Sequence, residues 1–244
     1  IPSNTVLDCT GKLLTLRDGS TTNMAVSYAY ANPTATGTAD ATSGSNVITT
    51  TLGAVAVAGQ TIVLIGAGAG GTGPLVANVR SRTATTITLE KHNGTDAPAA
   101  ANITGGVCKL ITRDTNISII GGRWNRGANG PNSGTGAPQS ATPGHSILME
   151  HVDGLTVDIE RCDSTAGVTF VWITDCTDFN ASVRGGQVVR TIMQIVGPVR
   201  NGRIPYVRGG CNDDLINICG NVYTDQTDTS GDVDGIEVGT IQAD

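Results

Sequence analysis

The chain has 244 residues, a net formal charge of −6 and an aromatic content of only 3%. This acidic balance excludes a nucleic-acid-binding groove, which needs a basic stripe. No apolar run approaches the roughly 18 residues that suit a membrane span, so no membrane insertion is expected. Glycine is abundant, with 33 copies, whereas lysine occurs only at positions 12, 91 and 109. Few strong helix formers and many β-branched residues are typical of an all-β protein with many turns.

Residues 1–32 contain short apolar runs beginning at Val6, Leu13 and Met24, with polar turns between them. We predict that they form the opening coil of a solenoid. The composition then changes, because residues 33–104 are rich in Gly, Ala and Thr and carry only short strand-like runs, such as Thr-Ile-Val-Leu-Ile at residues 61–65. This texture predicts a small inserted β-subdomain with antiparallel strands.

A glycine-rich segment inside the insertion, residues 66–71 (Gly-Ala-Gly-Ala-Gly-Gly), matches the dinucleotide-binding pattern G-x-G-x-x-G, with Glu90 further along the chain. Three features oppose that interpretation. Pro74 stands where the following helix should form, helical periodicity is absent up to Arg82, and no second strand–helix–strand unit follows. We therefore predict a flexible hairpin tip and no bound cofactor.

The remaining residues, 105–244, carry a repeat. An apolar strand recurs about every 20–24 residues from Ile147 onward, with later copies at Phe170, Ile192, Ile216 and Ile236. One such coil cannot bury its inward side chains alone, but coils stacked about 4.8 Å apart pair every strand in parallel and form a continuous core. The pattern predicts a right-handed parallel β-helix. Because it stops within a strand, we expect this solenoid to be truncated at its C-terminus.

Two further features of the sequence are a loop without apolar periodicity and six cysteines. Residues 127–143 lack apolar periodicity and are expected to project from the solenoid, either as a contact loop or as a tolerated insertion. The six cysteines lack the spacing of zinc ligands, so we expect small buried hydrophobic side chains and no metal site.

Acidic residues accompany two of the repeated strands. The candidate catalytic residues are Asp213, Asp214, Asp232, Asp234 and Glu237. If the strands at Ile216 and Ile236 are equivalent, these carboxylates lie on adjacent coils, and their mutual repulsion raises at least one pKa. A raised and an ordinary carboxyl group suit glycoside hydrolysis, in which one donates a proton and the other activates water or attacks. The alternatives are turns without chemistry, and a cation site joined by Asp225 and Asp228.

Three further residues are candidates for substrate binding. Arg184 and Arg208 belong to a series of arginines that recurs along successive coils, and a guanidinium binds the carboxylate of an anionic sugar bidentately. The alternative is a solvated arginine face. Trp124 is a candidate for stacking on sugar rings, whereas Trp172 lies within a strand and suits the core equally well.

Several segments resemble one family. They are Asn-Thr-Val-Leu-Asp-Cys-Thr-Gly-Lys at residues 4–12, the insertion with its Gly-rich residues 59–63 and 66–76, and Ile-Ser-Ile-Ile-Gly-Gly-Arg-Trp-Asn-Arg-Gly at residues 117–127. In these segments the chain resembles the tailspike and tail-fibre proteins of bacteriophages in the pectate-lyase-like β-helix superfamily. The resemblance implies a homotrimer on the virion tail or otherwise extracellular. It also implies binding of a bacterial surface polysaccharide, such as capsule, O-antigen or exopolysaccharide, often with cleavage by hydrolysis or β-elimination.

A shorter resemblance concerns residues 210–218, Gly-Cys-Asn-Asp-Asp-Leu-Ile-Asn-Ile. This segment is similar to the strand entry of polygalacturonase-type glycosidases, where paired Asp residues perform acid/base chemistry. The partner Asp of that family would lie near Arg190, where this chain has no carboxylate. The hypotheses are therefore a polysaccharide depolymerase of tailspike type, a non-catalytic receptor-binding or structural fibre segment, and a secreted polysaccharide lyase.

Overall fold

The computed structural model describes residues 1–17, 20, 22–68, 71, 73–128, 145–220 and 231–244. It is nearly all β, with 59% strand and 2% helix, which confirms the predicted all-β class. The elements in chain order are β1 (Val6–Asp8), β2 (Leu13–Thr15), β3 (Ala25–Val26), α1 (Tyr28–Ala31), β4 (Ala35–Ala41), β5 (Val47–Thr50), β6 (Thr61–Leu64), β7 (Leu75–Arg82), β8 (Thr86–Glu90), β9 (Ile103–Ile111), β10 (Asp114–Ile120), β11 (Arg123–Gly127), β12 (Ile147–Ile159), β13 (Arg161–Ser164), β14 (Val171–Val183), β15 (Gly186–Val188), β16 (Met193–Cys211), β17 (Ile216–Cys219) and β18 (Val233–Ala243).

Parallel strands form the larger of two units, which we call the solenoid. Its 12-stranded sheet contains the path β1-β10-β12-β14-β16, and β17 and β18 both pair with β16. At one position the strands are aligned from coil to coil, because Ile117 pairs with Leu155, Leu155 with Phe179, and Phe179 with Gly202. Each coil thus buries its apolar residues on those of the coil before it, as the repeat predicts, and the arrangement is consistent with a β-helix.

A corner repeats at the same place in each coil and is made by single residues with left-handed backbone. The residues with positive φ at this corner are Asn4, Asn116, Gly154, Asp178, Asn201 and Gly235. Asn, Asp and Gly adopt this conformation at the least cost. Their amides also link the coils, since Asn116 Nδ2 donates to Asn4 Oδ1 at 3.1 Å and Asn201 Nδ2 donates to Asp178 Oδ1 at 3.1 Å.

The interior of the solenoid is a column of aliphatic and aromatic side chains. Phe179 is 2% exposed, and its ring fills the space beside Gly202, where an added Cβ would lie 2.1 Å from Phe179 Cζ. The absence of a side chain at residue 202 therefore makes room for the ring of the preceding coil.

The cysteines are free thiols, and Cys9, Cys108, Cys162 and Cys176 are buried as expected, whereas Cys211 and Cys219 are partly exposed.

The second unit is a closed antiparallel barrel with strand order β4-β5-β8-β7-β6-β9. Its core is made of small side chains and aliphatics such as Ala39, Ile48, Leu64 and Leu89. The glycine-rich segment connects β6 to β7, which pair antiparallel. It is thus a hairpin connection, and the strand–helix–strand geometry of a dinucleotide site is absent from the described residues here.

Two predictions fall on residues outside the described ranges. The predicted projecting loop, residues 127–143, lies outside the described residues after Ala128. Asp225 and Asp228 of the alternative cation site also lie outside them. Within the described residues, no helix has the length and apolar character needed to cross a membrane.

Candidate functional site

The coil alignment behind the predicted carboxylate cluster is wrong. Ile216 pairs with Met193, whereas Ile236 pairs with Gly202, and both partners belong to β16. The two strands are therefore successive segments of one coil. The sequence misled because one coil holds more than one short apolar strand. The segments Ile-Asn-Ile at residue 216 and Ile-Glu-Val at residue 236 look alike, and only their pairing register distinguishes them.

As a consequence, the acidic residues do not stack on one another. Each one instead has a basic or amide partner: Asp213 with Arg190 at 3.7 Å, Asp214 with Asn217 at 3.1 Å, Asp232 with Lys91 at 2.8 Å, Asp234 with Arg200 at 3.6 Å and Glu237 with Arg203 at 3.0 Å. The mutual repulsion invoked for the cluster is thus replaced by local charge compensation.

The predicted substrate-binding residues divide into two groups. Arg184 and Arg208 lie on the solenoid surface, paired with Asp158 at 2.7 Å and Asp244 at 2.6 Å, and their role stays a prediction. Trp124 is 1% exposed and its Nε1 donates to the carbonyl of Gly121 at 3.1 Å. The prediction that Trp124 stacks on sugar is wrong, because its ring is part of the solenoid core.

A cleft of about 640 Å³ lies between the barrel and the last coils of the solenoid. The barrel supplies the start of β7 and the segment after β8, and the solenoid supplies the corner of β16 and the start of β18. The polar and charged residues that line the cleft are Lys91, His92, Asn93, Asp96, Arg200, Asp232 and Asp234, and the apolar ones include Pro74, Leu75, Val76, Pro98, Pro198 and Val199. Two of the five predicted carboxylates, Asp232 and Asp234, therefore meet at one concave site.

Polar contacts connect the two walls of this cleft. Lys91 Nζ of the barrel binds Asp232 Oδ2 of the solenoid at 2.8 Å. Arg200 of the solenoid donates from Nη1 to the carbonyl oxygen of His92 at 3.0 Å. The third carboxylate, Asp96, binds Arg80 at 2.7 Å on the barrel. Among the lining side chains, the positive charges of Lys91 and Arg200 stand against three carboxylates, so a slight excess of negative charge remains.

A buried carboxylate lies behind the cleft at the junction of the two units. Asp175 is 0% exposed, and its oxygens accept from His92 Nε2 at 2.5 Å, His151 Nδ1 at 2.5 Å and Arg113 Nη1 at 2.6 Å. Arg113 also binds Asp153 at 2.9 Å. Burial alone raises the pKa of Asp175, but the charges of Arg113 and His92 and the hydrogen bonds from both histidines outweigh it and hold the pKa well below its usual range.

Sequence reasoning missed both the cleft and this junction. His92 and Asp175 are 83 residues apart in the chain, and Lys91 and Asp232 are 141 apart. A lone His in a turn and a lone Asp after an apolar strand carry no motif. Only the position of the insertion, between two coils of a repeat, offers a signal, since binding clefts form preferentially where two units meet.

The fold and the cleft define an all-β protein in which stacked parallel coils and an inserted antiparallel barrel share one concave site. No family model matches the sequence, and no curated protein matches it. Among solved structures, the chain is similar to the Gp54 tailspike of Acinetobacter baumannii bacteriophage AP22, solved in complex with A. baumannii capsular saccharide. The TM-score is 0.40 and the identity 13% over 88% of this chain, which spans 43% of that tailspike.

Proposed function

We propose that this chain binds a bacterial surface polysaccharide in the cleft between the barrel and the solenoid. The observation that carries the proposal is the cleft itself, whose volume of about 640 Å³ lies in the range of ligand sites in proteins. In this proposal the parallel sheet winds as a right-handed β-helix, and the protein is of the phage tailspike type.

The composition of the walls supports a saccharide ligand. A sugar ring has hydroxyl groups around its edge and apolar C–H groups on its faces. Lys91, Asn93 and Arg200 supply donors for hydroxyl oxygens, and Asp232 and Asp234 supply acceptors for hydroxyl hydrogens. The prolines and aliphatic side chains of the same cleft supply flat apolar surface for the ring faces.

The source of the polysaccharide follows from the sequence resemblance. Tailspike proteins act outside the bacterium, so capsule, O-antigen and exopolysaccharide are the proposed ligands, and the virion tail is the proposed location. A homotrimer belongs to the same proposal. Arg184 and Arg208 are proposed to contact an extended chain on the outer face of the solenoid.

Cleavage of the bound chain is a second candidate function, and the carboxylates in the cleft favour it. Asp232 and Asp234 lie on the solenoid side and Asp96 on the barrel side, so a chain in the cleft passes between carboxyl groups. Hydrolysis requires one carboxyl group to protonate the leaving oxygen and another to activate water or attack. Asp213, Asp214 and Glu237 lie outside the cleft lining and are weaker candidates for this role.

Calorimetric titration with capsular and O-antigen polysaccharides from candidate hosts tests binding. We expect the double substitution Asp232→Asn and Asp234→Asn to weaken binding at least about tenfold, or 1.4 kcal/mol. Glu237→Gln is the matched control, since Glu237, like Asp234, is an exposed, arginine-paired carboxylate of β18 but does not line the cleft. Equal affinity in all three proteins would exclude the cleft as the binding site.

The same proteins test cleavage. A falling viscosity of the polysaccharide with wild-type protein, abolished by the double substitution and kept by Glu237→Gln, supports hydrolysis in the cleft. An unsaturated product that absorbs in the ultraviolet would indicate β-elimination instead. Binding without any change in viscosity would favour the non-catalytic receptor-binding function.

A further inference from the structure

We infer that His92 and Asp175 are positioning residues, which anchor one wall of the cleft to the solenoid so that its ligand-facing side chains are held in place. This inference rests on the proposed function, because it explains how the polysaccharide site is organised. It concerns the turn of residues 91–96, which joins β8 to the rest of the barrel and carries Lys91, Asn93 and Asp96 into the cleft.

The 91–96 turn is closed by hydrogen bonds between its own residues. The amide of Lys91 donates to the carbonyl of Thr95 at 2.8 Å, and the amide of Gly94 donates to the carbonyl of Lys91 at 2.9 Å. Asn93 Oδ1 accepts from the amide of Thr95 at 3.0 Å. Arg80 of β7 holds the turn on the barrel, through Gly94 O at 2.8 Å and Asp96 Oδ1 at 2.7 Å. Residues 93–96 are exposed, so these few bonds open readily unless the turn is also held from the solenoid side.

His92 attaches the turn to the solenoid at two points. Its imidazole Nε2 donates to Asp175 at 2.5 Å, and its carbonyl oxygen accepts from Arg200 Nη1 at 3.0 Å. The other ring nitrogen, Nδ1, lies 3.2 Å from Asn78 Nδ2 on β7. The side chain is 9% exposed, so the bond to Asp175 is shielded from water and is stronger than an exposed contact.

Asp175 is a rigid anchor. It occupies a corner of the solenoid with a φ of 44°, and Arg113 binds both its carboxylate and, from Nη2 at 2.8 Å, its carbonyl oxygen. His151 holds the carboxylate as well. Removal of His92 therefore leaves Asp175 compensated by Arg113, so the solenoid keeps its fold. Removal of Asp175 would instead leave the buried Arg113 without its main partner and destabilise the protein.

The consequence of the anchor is a pre-organised site. Without it, a ligand must order the 91–96 turn on binding, and that ordering lowers affinity. We expect His92→Ala to weaken polysaccharide binding at least about tenfold. We expect amide hydrogen exchange within residues 91–96 of the free protein to accelerate by a similar factor. His92→Gln, whose amide nitrogen can donate to Asp175, should restore most of both properties.

The decisive comparison measures hydrogen exchange, polysaccharide affinity and thermal unfolding for wild type, His92→Ala and His92→Gln. His145→Ala is the control, because His145 is a buried histidine of the solenoid that does not line the cleft. Unchanged exchange in residues 91–96 of His92→Ala would overturn the inference, and so would an equal loss of affinity in His145→Ala. If the wild type binds no polysaccharide, the proposed function fails, whereas the exchange of residues 91–96 still decides whether His92 anchors the turn.

Discussion

Acid should weaken the fold through His145, a histidine held neutral inside the solenoid. Its side chain is buried, at 5% exposed, and its ring centroid lies 4.3 Å from that of Trp172. Burial lowers the pKa of His145 from 6.5 to about 3, and the charges of Arg126 and Arg190 act in the same direction, against a hydrogen bond with the backbone of Thr169.

The direction of this pH effect on stability follows from how many protons the folded and the unfolded chain bind. Below pH 6.5 the unfolded chain binds a proton at His145 and the folded protein does not, so stability falls as the pH falls. The loss proceeds at about 1.4 kcal/mol per pH unit and stops near pH 3. Between pH 7 and pH 5 it amounts to about 2 kcal/mol, which is a large share of the roughly 5–15 kcal/mol that stabilises a typical protein.

Urea unfolding at pH 7 and pH 5, followed by tryptophan fluorescence, measures this loss in wild type and in His145→Gln. The variant should be less stable at pH 7, because it loses packing against Trp172, but its decrease between pH 7 and pH 5 should be about 2 kcal/mol smaller. The other histidines, His92 and His151, are present in both proteins and cancel in the comparison. Equal decreases, within about 0.5 kcal/mol, would refute the reasoning.

Two further predictions concern packing and thiols. Gly202→Val should destabilise the protein by about 1–3 kcal/mol or more, because the new side chain meets the ring of Phe179. Combining it with Phe179→Ala should cost less than the sum of the single changes in urea unfolding, and strict additivity would contradict the contact. Iodoacetamide should label the partly exposed Cys211 and Cys219 first in the native protein, as read by mass spectrometry. Buried thiols such as Cys108, whose pKa burial raises to about 11, should react only on unfolding, and early labelling there would count against the burial.

The fold class could be predicted from the sequence because its signals are local and repeated. Scarce helix formers, abundant β-branched residues and an apolar strand every 20–24 residues or so all indicate stacked parallel strands. The inserted barrel could be predicted from a change in amino-acid composition, since residues 33–104 are rich in Gly, Ala and Thr. The pairing register of the strands, unlike the fold class, could not be predicted from local patterns. The strands at Ile216 and Ile236 carry similar patterns and yet belong to one coil. A pattern with a period of two residues specifies which face is apolar but not which neighbour a strand meets.

The candidate site could be predicted only in part for the same reason. The sequence marks Asp232 and Asp234 as acidic residues at a strand entry, but Lys91, the partner of Asp232, comes from the barrel, and Arg200, the partner of Asp234, comes from the neighbouring coil. Trp124 shows the opposite error, since the sequence suggests a surface role for a ring that is only 1% exposed in the structure. Residue type and spacing propose chemistry, whereas burial decides whether a side chain is available for it.

The sequence by itself thus determined the all-β class, the stacked coils and the presence of an insertion, because these depend on composition and on periodicity along the chain. Only the tertiary structure decided that a cleft forms between barrel and solenoid, and that His92 meets Asp175, which lies 83 residues further along the chain. The physical reason is that such contacts depend on how two separately formed units pack together. No short-range pattern in either unit encodes that packing.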